Sequence, residues 1–217
     1  DGPLSGGTPK GVELYVLNNI SDLSIYGIGS ATNGGGTDGQ EYTFPAEAAT
    51  AGDYLYITYE ITQFANWFGF ASDYTTGAVG VNGDDAIELF YDGAVVDVFG
   101  DITKDGTGEV WEYLDGWAYS KDDRSRTTSF SSGDWTYSGT NALDGETTNA
   151  TAGTQVPVGT FSTTDSPLPV ELSLWTATSD RGEVKLLWTT DSEIENQGFI
   201  IERIQKTEDR SQNVWKE

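Results

Sequence analysis

Apolar and polar residues alternate with a period of two along much of the first two-thirds of this chain. Tyr54, Tyr56, Thr58 and Glu60 interleave with Leu55, Ile57, Tyr59 and Ile61, the pattern of a strand with one face in a core. The same reading predicts strands over 11–17, 23–29, 41–44 and 54–60, then over 86–91, 94–99, 110–113, 117–120 and 135–137. Phe64, Trp67 and Phe68 break the alternation with i, i+3, i+4 spacing, so one short helix is predicted over 62–70. Asp92-Gly93 lies between two of these strands as a two-residue hairpin turn that needs positive φ. Asp115-Gly116 predicts a second such turn, pairing 110–113 with 117–120. The glycine-rich stretch 33–39 reads as a flexible turn, and the Thr-, Asn- and Gly-rich stretch 141–153 as a long surface loop.

Residues 161–169 carry Ser, Thr, Pro167 and Pro169 and read as a linker. Three further strands are predicted after it, over 170–178, 183–189 and 198–204. The expected organisation is therefore a first domain over 1–160, a linker over 161–169 and a partial module over 170–217.

Composition narrows the chemistry. The chain of 217 residues has 27 Gly and 12% aromatic residues, no Cys, no Met and no His. Without Cys there is neither a disulfide framework nor a thiolate metal site. The additional lack of His excludes a Ser–His–Asp triad and a His-bound zinc. No apolar run is long enough for a membrane-spanning helix, so membrane insertion is not expected. The formal charge of −24 is concentrated in residues 1–165. Such a surface repels phosphate backbones, so nucleic acid is not expected as a direct partner.

Two segments resemble known families. Val81-Asn82-Gly83-Asp84-Asp85-Ala86-Ile87-Glu88-Leu89-Phe90, followed by Asp92-Gly93 and Val95-Val96-Asp97, resembles the bacterial branch of the lamin-tail-like domain. Gly11-Val12-Glu13-Leu14-Tyr15 and Asn141-Ala142-Leu143-Asp144-Gly145 extend the resemblance over residues 1–165. It implies an immunoglobulin-like sandwich of a secreted protein, a type often found beside nuclease or phosphatase domains. Pro167-Leu168-Pro169-Val170-Glu171-Leu172, Leu186-Leu187-Trp188-Thr189-Thr190 and Gly198-Phe199-Ile200-Ile201-Glu202-Arg203 look like the start of a fibronectin-III-like module of secreted Bacteroidetes proteins. Neither resemblance implies catalysis by these residues.

One loop carries candidate chemistry. From Asp101 to Glu112 the sequence follows the calcium-loop spacing D-x-[DN]-x-[DN]-G-x5-E, except that Thr103 stands at the third position. Calcium needs oxygens at alternate positions, a glycine for the sharp turn and a closing carboxylate. Asp101, Thr103, Asp105, Thr107, Glu109 and Glu112 are the candidate ligands, and calcium the candidate cofactor. The bland reading is a solvated acidic hairpin loop. Asn82-Gly83-Asp84-Asp85 is a second acidic cluster, read as a turn whose Asp side chains cap backbone N–H groups. Glu109, Glu112 and Asp115 near Trp111, Tyr113 and Trp117 could supply the carboxylate pair of a glycoside hydrolase. In a strand, however, Trp111 and Tyr113 share a face and belong to a core. Trp67, Phe68 and Phe70 offer either a glycan-binding patch or a cover for one end of the sandwich.

The expected fold class is all-β: an immunoglobulin-like antiparallel β-sandwich with one short helix, plus a partial fibronectin-III-like sandwich. The expected function is a non-catalytic, extracellular or cell-surface adhesion and assembly module of a larger secreted bacterial protein, stabilised by calcium. The alternatives are a glycan- or polymer-binding accessory domain of a secreted hydrolase or nuclease, and a carboxylate-pair glycoside hydrolase. Expected partners are other protein chains, by β-strand addition or self-assembly, and glycans.

Overall fold

The computed structural model describes residues 1–163 and two strands beyond them, Glu171–Asp180 and Glu183–Ser192. The chain divides into two units, Asp1–Asp165 and Ser166–Glu217. The elements of the first are β1 (Gly11–Tyr15), β2 (Tyr26–Ala31), β3 (Tyr42–Thr43), β4 (Tyr54–Thr58), α1 (Ile61–Phe68), β5 (Tyr74–Thr75), β6 (Ala86–Tyr91), β7 (Ala94–Phe99), β8 (Ala118–Ser120) and β9 (Trp135–Tyr137). The second unit contributes β10 (Glu171–Asp180) and β11 (Glu183–Ser192). The fold is all-β and sandwich-like, with one α-helix among the described residues.

The alternation in the sequence becomes two facing sheets. One has the order β1-β4-β5 and the other β3-β2-β6-β7. All their pairings are antiparallel except the short parallel contact of β4 with β5. Val12, Leu14, Leu55 and Ile57 from the first sheet meet Ile28, Ile87 and Leu89 from the second, with Val16, Leu23, Phe44 and Val79 closing the core. Ile28 and Ile57 are fully buried; burial of each such side chain stabilises by ~1.5–3 kcal/mol. Asp92 and Gly93 both have positive φ, as the hairpin turn between β6 and β7 demands.

Three local expectations change. Residues 23–25 form a 3-10 turn before β2, because the Asp22 side chain accepts the Ser24 N–H at 2.9 Å. Residues 110–113 are not a strand. Asp115 takes positive φ as expected of the turn, but β8 pairs with β9 instead, Ala118 opposite Tyr137. Trp111 and Tyr113 are buried all the same, against Phe99, so their i, i+2 spacing reports core rather than ladder pairing. Finally, the 141–153 segment is not merely a surface loop. Leu143 and Ala152 are buried with Trp67 in a second core, which ties this segment to the helix. Asn149 fixes its far end, donating to the Val156 carbonyl at 3.0 Å and accepting the Val156 N–H at 2.8 Å.

The helix follows its apolar stripe, with Phe64 and Trp67 buried, and ends at Gly69 in the left-handed region. Outside the first sheet, Tyr15 packs against Tyr54 and Phe161. There the half-buried Glu13 accepts the Tyr119 hydroxyl and, at 2.7 Å, the Gly159 N–H. Burial, and then the neighbouring Glu13, push the Tyr119 hydroxyl up to about 12. In the second unit β10 and β11 form an antiparallel hairpin with Trp175 opposite Trp188. The strand predicted over 198–204 lies outside the described residues.

Two glycines test the backbone geometry. Gly83 has a φ of +98°, and a Cβ there would lie 2.4 Å from the Leu114 Cα. Gly93 has a φ of +75° but faces open space. Gly93→Ala should therefore cost about 1 kcal/mol from φ alone. Gly83→Ala adds a collision with backbone and should cost about 3 kcal/mol or more. Urea denaturation of the two variants beside the wild type measures the difference.

Candidate functional site

The acidic loop from Asp101 to Glu112 is built from consecutive tight turns. Asp101 Oδ1 accepts both the N–H and the hydroxyl of Thr103, at 2.9 and 2.8 Å. Asp105 Oδ1 accepts the Thr107 N–H at 2.9 Å. These are Asx-type turns, in which the carboxylate stands in for a backbone carbonyl. The donors from Thr103 and Thr107 hold both carboxyls below the ordinary aspartate value. Glu112 Oε2 accepts the Gly108 N–H at 2.8 Å, and Glu109 pairs with Lys104 at 2.7 Å.

The six residues named from the calcium spacing thus share one loop but serve separate local contacts. Among the described residues, no group of three or more carboxylates converges as a metal cage. One oxygen each of Asp101, Asp105 and Glu112 lies outside the bonds just given. A calcium ion at this loop would draw on those oxygens and on the Thr107 carbonyl, with the Thr103 hydroxyl already donated to Asp101.

The loop is anchored by the second acidic cluster. Asp85 is 3% exposed. Its Oδ1 accepts the Asn33 N–H at 2.9 Å and its Oδ2 the Asn82 N–H at 3.3 Å. With its amide nitrogen turned toward the acids, the Asn82 side chain donates to Asp84 Oδ1 at 2.7 Å and to Asp85 Oδ2 at 2.6 Å. Burial raises the Asp85 carboxyl above its ordinary value, against the opposing pull of the Asn33 and Asn82 donors. The backbone carbonyl of Asp85 accepts the buried Tyr113 hydroxyl at 2.8 Å. The Asp84 carbonyl accepts the Gly106 N–H at 3.0 Å, and its side chain accepts the Thr107 hydroxyl at 2.9 Å. Asp85 caps backbone N–H groups ahead of β6, as the sequence pattern suggests, whereas the Asp84 side chain accepts the Thr107 hydroxyl. The 33–39 turn is correspondingly pinned, with the Gly36 N–H on the Ile102 carbonyl at 2.8 Å.

The remaining candidates separate. Glu109 and Glu112 are engaged within the loop, whereas the Asp115 carboxyl is raised by burial and by the neighbouring Asp144. Trp67 is 1% exposed and cannot anchor a surface patch. Phe64, Phe68, Phe70 and Tyr56 instead form an aromatic cluster around the helix, with Phe70 edge-on to Tyr56 and Phe64 and the Phe68 contacts tilted.

Two arrangements have no signature in the sequence. Arg124 binds Asp97 through both terminal nitrogens, at 2.9 and 2.6 Å, and lies 4.7 Å from the Trp135 ring centroid. These residues are far apart in the chain, so spacing carries no trace of them. The other is Glu88 on β6, which is 1% exposed and whose Oε2 has no hydrogen-bond partner. The period-two pattern places Glu88 on the face of β6 opposite Ile87 and Leu89. Ala86 and Phe90 share that face and are buried with it, so both faces of β6 are covered.

Comparison with protein families, with curated proteins and with solved structures finds no match to this chain.

Asp85→Ala should cost roughly 1–3 kcal/mol, because it removes a buried carboxylate that accepts the Asn33 and Asn82 N–H groups. Asp84→Ala, which loses the more exposed contact with Thr107, should stay within about 1 kcal/mol of wild type. Chemical denaturation of the two variants distinguishes this ranking from one in which both acids are surface decoration.

Proposed function

We propose that this chain is a non-catalytic adhesion and assembly module of a larger secreted or surface-attached bacterial protein. On this reading it joins its neighbours through strand addition. The observation that carries the reading is the β10–β11 hairpin. Its register puts Trp175, Ala177, Val184, Leu186 and Trp188 on one face. Trp175 is 55% and Val184 68% exposed. A two-stranded hairpin is marginal by itself in water, and an apolar face of this size favours cover by further strands. Supply of that cover by another copy of the chain follows the β-augmentation mode, in which main-chain bonds give affinity and alternate side chains give register.

The lack of His and Cys, and the dispersal of Glu109, Glu112 and Asp115 into separate contacts, favour a binding role over a hydrolytic one. The extracellular setting rests on the lamin-tail-like and fibronectin-III-like resemblances. Light scattering of the whole chain should show a concentration-dependent oligomer. The Trp175→Lys, Val184→Lys double variant should return it to monomer while leaving the circular dichroism of the first unit unchanged. A wild-type chain that stays monomeric at every concentration overturns the assembly reading.

Calcium is the proposed stabilising ion, held at the Asp101–Glu112 loop. Saturating calcium should raise the melting temperature over an EDTA-treated sample by mass action, and Asp105→Ala should remove the difference. Equal melting temperatures in calcium and EDTA would set this part of the proposal aside without touching the assembly reading.

A further inference from the structure

Glu88 opens onto a cleft of about 390 Å³ beside β6 and β7. Its floor and walls include Val98, Ile102 and Phe130; Asp101 and Thr128 add polar groups. None of the lining residues is basic, and Glu88 has no ion-pair partner among the described residues. Its Oε2 is withdrawn from water without a hydrogen bond. A carboxylate held in this way is costly to the fold unless a donor or a positive charge reaches it. Asp101 brings a second acid to the same cleft, with Oδ1 already committed to Thr103. The other buried acid near the acidic loop, Asp85, has all its donors in place. Glu60 also holds unpartnered oxygens, but of these acids Glu88 is the one that lines this cleft.

We propose that this cleft binds a primary ammonium group carried on an aliphatic stem, as in a lysine side chain or a small alkylamine. The ammonium would sit at Glu88, donating a charge-assisted hydrogen bond to its unmet oxygen, with the Asp101 carboxylate adding negative charge to the same cleft. The stem would lie along Val98, Ile102 and Phe130, where its methylenes leave water. The apolar walls and the presence of only two carboxylates favour an organic cation over calcium, which takes six to eight oxygens. The site stands independently of the assembly reading, since it draws on none of the hairpin residues.

The test is an NMR titration of the whole chain, with sodium chloride holding ionic strength constant. The probes are n-butylammonium, N-acetyl-lysine methylamide, n-butanol and calcium. Both ammonium probes should give saturable shifts at Val98, Ile102, Thr128 and Phe130, with midpoints of roughly 1–30 mM. n-Butanol should give none at those residues. Tighter binding of the blocked lysine than of n-butylammonium assigns the site to a partner's lysine side chain; the reverse order assigns it to a free amine. Glu88→Gln, which keeps the shape but removes the charge, should weaken ammonium binding by about tenfold or more and leave the surface acidity otherwise intact. Thr128→Trp, at an exposed rim position, should block the cleft without altering the core, and serves if Glu88→Gln does not fold. The proposal is overturned if n-butanol matches n-butylammonium, or if the shifts survive in the variants. It also fails if calcium moves these residues while the ammonium probes do not.

Discussion

A single buried carboxylate sets where the loops of this sandwich lie. Asp85 closes three segments at once: the Asn33 turn, the Asn82–Asp84 turn and, through its carbonyl, the Tyr113 hydroxyl. The Tyr113 hydroxyl is a buried donor, and an unmet buried donor is costlier than a formed bond is favourable. The geometry also leaves no room for error. Gly83 lets the chain pass against Leu114, where any side chain would strike backbone. The acidic loop, the aromatic layer and the cover over the outer face of β6 all inherit their positions from this junction.

The aromatic residues do the bulk packing that the small sheets cannot. β3, β5, β8 and β9 are only two or three residues long, too short to bury much by pairing alone. Phe99 therefore carries Trp111, Tyr113, Phe130 and Trp135 around it in edge-on contacts. Tyr15, Tyr54 and Phe161 do the same outside the other sheet. Large rings reach across the gaps between irregular loops, and their edge-to-face packing adds specificity to the area they bury. The polar tips remain useful: Tyr119 and Tyr113 hold a carboxylate and a carbonyl in place.

The strong acidity divides into different physical jobs. Asp22, Asp101 and Asp105 shape turns by accepting local N–H groups. Asp97 is neutralised by Arg124 in a paired geometry that a lysine could not reproduce. The half-buried Glu13 and the buried Asp85 are connectors. Glu88 alone among these is buried and open to a cleft with an oxygen unmet, and that difference makes it a recognition site where the others are architecture.

Much of this was legible along the chain. Period-two alternation marks β1 and β4, since Val12, Leu14, Leu55 and Ile57 face the core, while β6 and β7 are legible from the apolar runs on either side of their turn. The Asp92-Gly93 turn is readable because positive φ at two successive positions demands those residues, and the stripe of Phe64 and Trp67 specifies the helix. The Asp85 bond to the Asn82 N–H is readable as a cap because it is local, whereas its bond to the distant Asn33 N–H is not. Tertiary structure decided what local pattern cannot express. The partner of β8 is β9 rather than 110–113, because ladder choice depends on where Trp111 and Tyr113 find a core. Leu143 and Ala152 pull a polar-looking segment inside because Trp67 needs cover. Spacing in the acidic loop names six oxygen-bearing residues, but their bonds to neighbouring N–H groups and to Lys104 determine which oxygens remain outside local contacts. Glu88 shares its face of β6 with Ala86 and Phe90, and only the folding of distant loops over that face withdraws its charge from water.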